Sequence, residues 1–101
     1  MFSSSLVFTF IVPKKHKDDV IDQLMLSDIA SGFNIFPIMG YSKKHSAFSL
    51  EEQVRGYKDM LKFEVVIEQC ELEKLKEELK LLFTTIKIRY WTTTIIETGH
   101  L

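Results

Sequence analysis

Apolar positions along the chain fall into four short runs and two spaced stripes. Ser5 to Val12 (SLVFTFIV) is β-branched and aromatic, and Pro13 closes it, which predicts a first strand. Over residues 14–27 the apolar positions Val20, Ile21, Leu24 and Met25 recur at i, i+1, i+4 and i+5. Lys14, Lys15, Lys17, Asp18, Asp22 and Gln23 fall elsewhere, so this stretch predicts an amphipathic helix. Gly32, after Ser31, supplies a chain reversal beyond it. Residues 33–41 (FNIFPIMGY) predict a second strand, placed at a sheet edge because Pro37 has no N–H to donate. Residues 60–68 alternate, with Leu61, Phe63, Val65 and Ile67 opposed to Lys62, Glu64 and Glu68: a third strand. Residues 70–83 give the clearest helix, with Leu72, Leu75, Leu79, Leu82 and Phe83 in one stripe. Glu71 and Glu73 stand where its dipole favours anions. Ile86 to Ile96 predicts a last strand, and Glu97 to Leu101 a tail. Residues 42–58 carry little pattern, although Ser49-Leu50-Glu51-Glu52 fits a capping box.

The order β-α-β-β-α-β, joined by right-handed crossovers, predicts a ferredoxin-like α+β domain over residues 1–101. Four antiparallel strands would carry two helices on one face, with an excursion at 42–58. The other face of such a sheet is ordinarily polar. Here Val7 and Ile11 oppose Leu6, Phe8 and Phe10; Phe36 and Ile38 oppose Ile35 and Met39; Trp91 and Ile95 oppose Ile88 and Tyr90. Neither helix can cover that second set, and an apolar patch of this size marks an interface, so an oligomer packed through its sheets is expected.

Composition bears on the same point. At 101 residues the chain makes one domain that hides roughly 65% of its unfolded surface. A hydrophobic fraction of 46%, with eight Phe, exceeds what one small core absorbs, and two apolar sheet faces account for the surplus. Thirteen basic against 14 acidic residues leave a net charge of −1, which argues against binding nucleic acid or a membrane surface through bulk charge. High hydrophobicity and low charge also exclude disorder. The run Leu6 to Val12 is far short of the ~20 residues of a membrane span, and its flanks do not read as a signal peptide. Cys70 alone excludes an internal disulfide and a CxxC pair. A soluble, cytoplasmic protein is expected, without membrane insertion or nucleic-acid partner.

Several segments resemble the PII-like signalling proteins. Phe10-Ile-Val-Pro-Lys-Lys-His-Lys-Asp-Asp-Val20 is similar to their opening strand and helix, and Ile38-Met-Gly-Tyr-Ser42 to the strand end before their mobile T-loop. Lys62-Phe-Glu-Val-Val-Ile67 is similar to their third strand, and Thr94-Ile-Ile-Glu-Thr-Gly99 to their last strand and tail. A closer resemblance is to an uncharacterised PII-like family associated with heavy-metal efflux genes. It rests on Gly40, Ser42, His45, Ser49-Leu50-Glu51-Glu52-Gln53-Val54-Arg55-Gly56, Phe63-Glu64, Tyr90-Trp91 and Glu97-Thr98-Gly99-His100-Leu101, with Tyr57-Lys58-Asp59 departing from an Arg-rich continuation. The resemblance implies a homotrimeric, non-enzymatic sensor or regulator with ligand clefts between subunits, where loop, strand ends and tail meet. Its ligand-binding residues would be Gly40, Tyr41, Ser42, His45, Glu52, Gln53, Gly56, Glu97 and Gly99. Its partner would be a transport or efflux protein reached through the T-loop-like segment.

Departures from the central PII proteins argue against ATP held in their manner. Backbone N–H groups approach phosphates closely where glycine removes the Cβ, yet Phe83-Thr84-Thr85-Ile86-Lys87 holds no glycine. The last strand runs into Ile95-Ile96-Glu97, an acid where cations would help. A divalent metal is the alternative, on His45, Glu97 and His100, with His16, Glu52 and Cys70 as further donors. No two histidines stand at i, i+3 or i+4, so spacing supplies no direct site. Ser42, His45 and Ser49 do not sit on the strand-to-helix elbow that a nucleophile needs. Lys14-Lys15-His16-Lys17 at a helix start could bind an anion, but a solvated charged turn is the preferred reading. Tyr90 and Trp91 face opposite ways, one towards core and one towards an interface, and Cys70 reads as a partly buried thiol. Two other readings compete. One is a small ferredoxin-like enzyme acting on an apolar molecule in a pocket near Trp91 and Phe36; the other is a structural subunit.

Overall fold

The computed structural model describes residues 4–42 and 56–101. Strand β1 (Ser5–Pro13) leads through a 3-10 turn (Lys14–His16) into helix α1 (Lys17–Leu26), followed by β2 (Phe33–Gly40). Strand β3 (Lys58–Glu68), a second 3-10 turn (Gln69–Glu71), helix α2 (Leu72–Lys80) and β4 (Arg89–Thr94) complete the order. The sheet runs β2-β3-β1-β4 with every neighbour antiparallel, the ferredoxin-like arrangement expected.

Both helices are shorter than their hydrophobic stripes suggest. Residues 14–16 form a 3-10 turn because Pro13 opens it without a side-chain cap and no acid offsets its basic residues. The α-helix proper starts where Asp18 and Asp19 occupy the first turn and complement the helix dipole. Glu68 and Glu71 form a reciprocal capping box at the second turn, the Glu68 N–H donating to Glu71 Oε1 at 3.3 Å. The box expected at Ser49–Glu52 lies outside the described residues. Beyond Lys80 the Leu82 and Phe83 N–H groups bond three residues back, to Leu79 and Lys80, and this tightening ends α2. β4 begins at Arg89, three residues later than the apolar run, because its ladder stops at Ile11↔Arg89, just before β1 enters the Pro13 turn.

One contiguous core lies between helices and sheet. Leu6, Phe8, Phe10 and Val12 of β1 and Leu61, Phe63, Val65 and Ile67 of β3 meet Val20 and Leu24 of α1 and Leu75 and Leu79 of α2. Phe10 and Phe63 stack with centroids 5.1 Å apart and planes 3° from parallel. Met25 is exposed, contrary to the expected stripe, since at 100° per residue it lies well off the line joining Val20 and Leu24. Ser27 ties the helices together: its Oγ donates to Glu78 Oε2 of α2 at 2.9 Å and accepts the Ile29 N–H at 3.1 Å.

Among the described residues no helix covers the opposite face of the sheet. Strand register sets its side chains in rows, Trp91–Thr9–Glu64–Asn34 and Arg89–Ile11–Lys62–Phe36, with Thr93–Val7–Val66 and Pro13–Met60–Ile38 beside them. Thr9 is only 2% exposed despite lying on this face, hemmed in by Trp91 and Glu64. Lys62 lies over the Phe36 ring at 4.7 Å and Arg89 over Trp91 at 5.6 Å. Basic side chains thus shield part of the aromatic surface, while Phe36, Val66 and Trp91 remain 39%, 47% and 41% exposed.

Candidate functional site

The base of the 42–58 excursion is well defined. The last residues of β2 stay paired with the first of β3, Met39↔Asp59 and Gly40↔Lys58. Just past them the Tyr41 and Tyr57 rings meet at 5.8 Å. Gly40 is required there, since a Cβ would lie 2.7 Å from the Met60 Cγ. Gly56 has φ +83°, a conformation in which L side chains are strained. Gly40, Tyr41, Ser42 and Gly56 are therefore brought together at one corner of the sheet. His45, Glu52 and Gln53 lie outside the described residues.

The tail occupies the opposite corner. β4 lies at the other edge of the sheet from β2, and its last residues pair with the beginning of β1, near Leu6, where the Ile95 N–H donates to Ser5 O at 3.3 Å. Gly40 sits instead at the end where β1 finishes. Glu97, Gly99 and His100 are all exposed, and so are Ile96 and Leu101. Within one chain the structure does not unite the excursion base with the tail; the two ends are diagonal.

Among the described residues no three of His, Cys, Asp and Glu are grouped as a metal site. His16 packs edge-on against Phe83 at 5.7 Å, with its Nε2 buried and unbonded among the described residues. Cys70 is exposed, in place of the partial burial expected, because it falls in the 3-10 turn preceding α2 and outside the helix stripe. Tyr90 and Trp91 face opposite ways as expected, Tyr90 towards Phe8 on the helix side at 5.6 Å and Trp91 on the open face, but Tyr90 is 46% exposed at the sheet edge and is not the core residue expected. Trp91 and Phe36 belong to the two edge strands, with β1 and β3 between them, so they do not frame one pocket.

Among the described residues, cavities of small-molecule size flank the core at two places. One, of about 400 Å³, lies beside the excursion base, between Lys14, Lys17 and Asp59 and the apolar Ile35, Ile38 and Met60. It places two of the turn lysines near a carboxylate as well as near apolar surface. The other, of about 380 Å³, opens between α2 and the edge strand β4, over Phe8 and Phe10. Lys76, Lys80 and Lys87 rim it, and Lys76 Nζ lies 4.9 Å from the Tyr90 ring centroid. The Lys76 pKa is raised, first by its hydrogen bond to Tyr90 and then by the one to Glu73, so its ammonium is held charged. Sequence reasoning missed this second cavity. Its signal is a half-apolar, half-basic stripe, Lys76, Leu79, Lys80 and Phe83 at i, i+3, i+4 and i+7, beside the more strongly apolar leucine stripe.

No helix among the described residues is long and apolar enough to cross a membrane. A search of curated proteins found no match. Among solved structures, a DUF3240 family protein from Shewanella baltica OS155 superposes with a TM-score of 0.81 at 27% identity, covering 99% of each chain. CPII, a nitrogen regulatory PII-like protein from Thiomonas intermedia K12 bound to ADP, AMP and bicarbonate, matches at 14% identity. Its TM-score is 0.69, with 99% of this chain and 97% of CPII covered. The same protein bound to ADP, AMP and acetate gives a TM-score of 0.71 at 14% identity, covering 99% and 94%. These matches place the chain in the PII-like form of the ferredoxin-like fold. The family described as "Protein of unknown function (DUF3240)" matches residues 2–101, and the chain belongs to that family.

Proposed function

We propose that the protein is a non-enzymatic PII-like regulator, assembled as a homotrimer through the open face of its sheet. It binds a small ligand or metal ion between the excursion base of one subunit and the tail of its neighbour. It signals through residues 42–58 to a partner of the transport or efflux class. The observation that supports this reading best is the paired, tyrosine-flanked base at Gly40–Lys58, which brackets the chain segment between β2 and β3. The diagonal placement of base and tail supports a cleft shared between subunits. CPII is bound to ADP and AMP, but this chain connects α2 to β4 without a glycine and carries Glu97 in its tail. An adenine nucleotide held by backbone N–H groups does not suit those residues.

A thermal-shift screen of the native oligomer with divalent metals, bicarbonate and adenine nucleotides tests the reading. A ligand at 100 times its dissociation constant adds about 2.7 kcal/mol, a readily measured rise. A metal or bicarbonate shift that disappears on Glu97→Gln is the expected result. A monomer by light scattering refutes the assembly, and a nucleotide as the sole stabilising ligand refutes the reasoning from the missing glycine.

A further inference from the structure

We propose that the cavity between α2 and β4 is a second, intrachain site for an amphipathic anion, a molecule with an aliphatic or aromatic body and a single carboxylate head. The site needs no second subunit and stands apart from the cleft proposed above. Its floor is apolar, formed by Phe8 and Phe10 of β1, and Leu79, Phe83 and Ile88 supply apolar walls. A volume of about 380 Å³ lies at the lower end of the range of small-molecule pockets, enough for a short acyl chain or an aromatic ring.

Charge at the mouth selects the head group. Three lysines, 76, 80 and 87, border the opening, and among the described residues no carboxylate lines it. Lys76 and Lys80 do pair with Glu73 and Glu77, each at 3.2 Å, but those glutamate side chains are 77% and 70% exposed. Exposed pairs of this kind are weak and yield to a carboxylate anchored by its own apolar body. Lys87 has no carboxylate partner among the described residues. Lys76 Nζ lies over the Tyr90 ring, 4.9 Å from its centroid, and this cation–π contact holds the ammonium at the rim.

Isotope-labelled full-length protein titrated with octanoate, nonanoate and decanoate below their micelle concentrations tests the site. Amide shifts should centre on Phe83, Ile88 and Tyr90. Affinity should rise about fourfold per added methylene until the cavity fills. Decanol should bind at least about tenfold more weakly than decanoate, because it lacks the charge-assisted contacts. Lys87→Gln, alone and combined with Lys76→Gln, should weaken decanoate by about tenfold while leaving decanol unchanged. The single exchange, at an exposed position, keeps the test valid if the double variant loses its native spectrum. Equal binding of decanoate and decanol overturns the proposal. So does unchanged decanoate affinity in Lys87→Gln, or a shift pattern centred on Val7 and Trp91 of the open face.

Discussion

Replacing Trp91 by threonine tests whether the open sheet face is an interface. Threonine already fills the next three positions and suits an edge strand, so the backbone has no reason to change. In the isolated chain Trp91 leaves 41% of its surface in solvent. On a full tryptophan surface of about 250 Å² that is about 100 Å², and covering it contributes about 2.5 kcal/mol. Three subunits lose about 7.5 kcal/mol, or about 5.5 powers of ten in the trimer dissociation constant. That constant scales with the square of concentration, so the midpoint of dissociation moves up about 500-fold. This is an upper figure, since it assumes complete coverage of the ring. Light scattering over a dilution series reads the midpoint directly, and melting of the dilute monomer separates assembly from folding. Leu81→Thr is the control, because Leu81 is 75% exposed but follows α2 on the helix side. A wild-type mass of 11.8 kDa at every concentration refutes the reasoning. An equal shift from Leu81→Thr does the same.

Other expectations follow from single contacts. Gly40→Val drives a side chain into Met60 Cγ and should cost about 1–3 kcal/mol in urea unfolding, partly recovered by adding Met60→Ala. Lys76 has its pKa raised above 10.5, so its contribution to stability is fully present at neutral pH and is lost as pH climbs through the folded value. Melting temperatures recorded from pH 9 to pH 12 should therefore fall less steeply in Lys76→Gln than in the wild type, and equal slopes contradict the assigned contact.

The helix-facing half of the molecule was legible because burial repeats with the period of each element. Phe8, Phe10, Phe63, Val65, Leu75 and Leu79 fall on the core side as alternation and helical spacing require. Boundaries were less legible, because turn chemistry and ladder register compete with the apolar pattern. Leu82 and Phe83 extend the stripe of α2 without extending its helix, and Ile86 and Ile88 extend the apolar run of β4 without pairing. The excursion base could be found through Gly40 and Tyr41, yet the need for glycine there comes from Met60, a residue twenty positions later and visible only once β2 and β3 are in register. The α2–β4 cavity was hidden for a similar reason. Its lysines look like an ordinary solvated face until the connection after α2 brings Lys87 and Tyr90 to the same opening.

The diagonal separation of excursion base and tail has a consequence for mixtures of variants. A site that uses both corners is built half by one copy and half by the next, so two damaged chains can repair each other. A copy altered at Gly40 keeps a sound tail, and one altered at Glu97 keeps a sound base. In randomly mixed closed rings of equal amounts, about one cleft in four joins the two sound halves. Neither variant alone regains any. Recovery on mixing would be the signature of a binding unit that no single polypeptide contains.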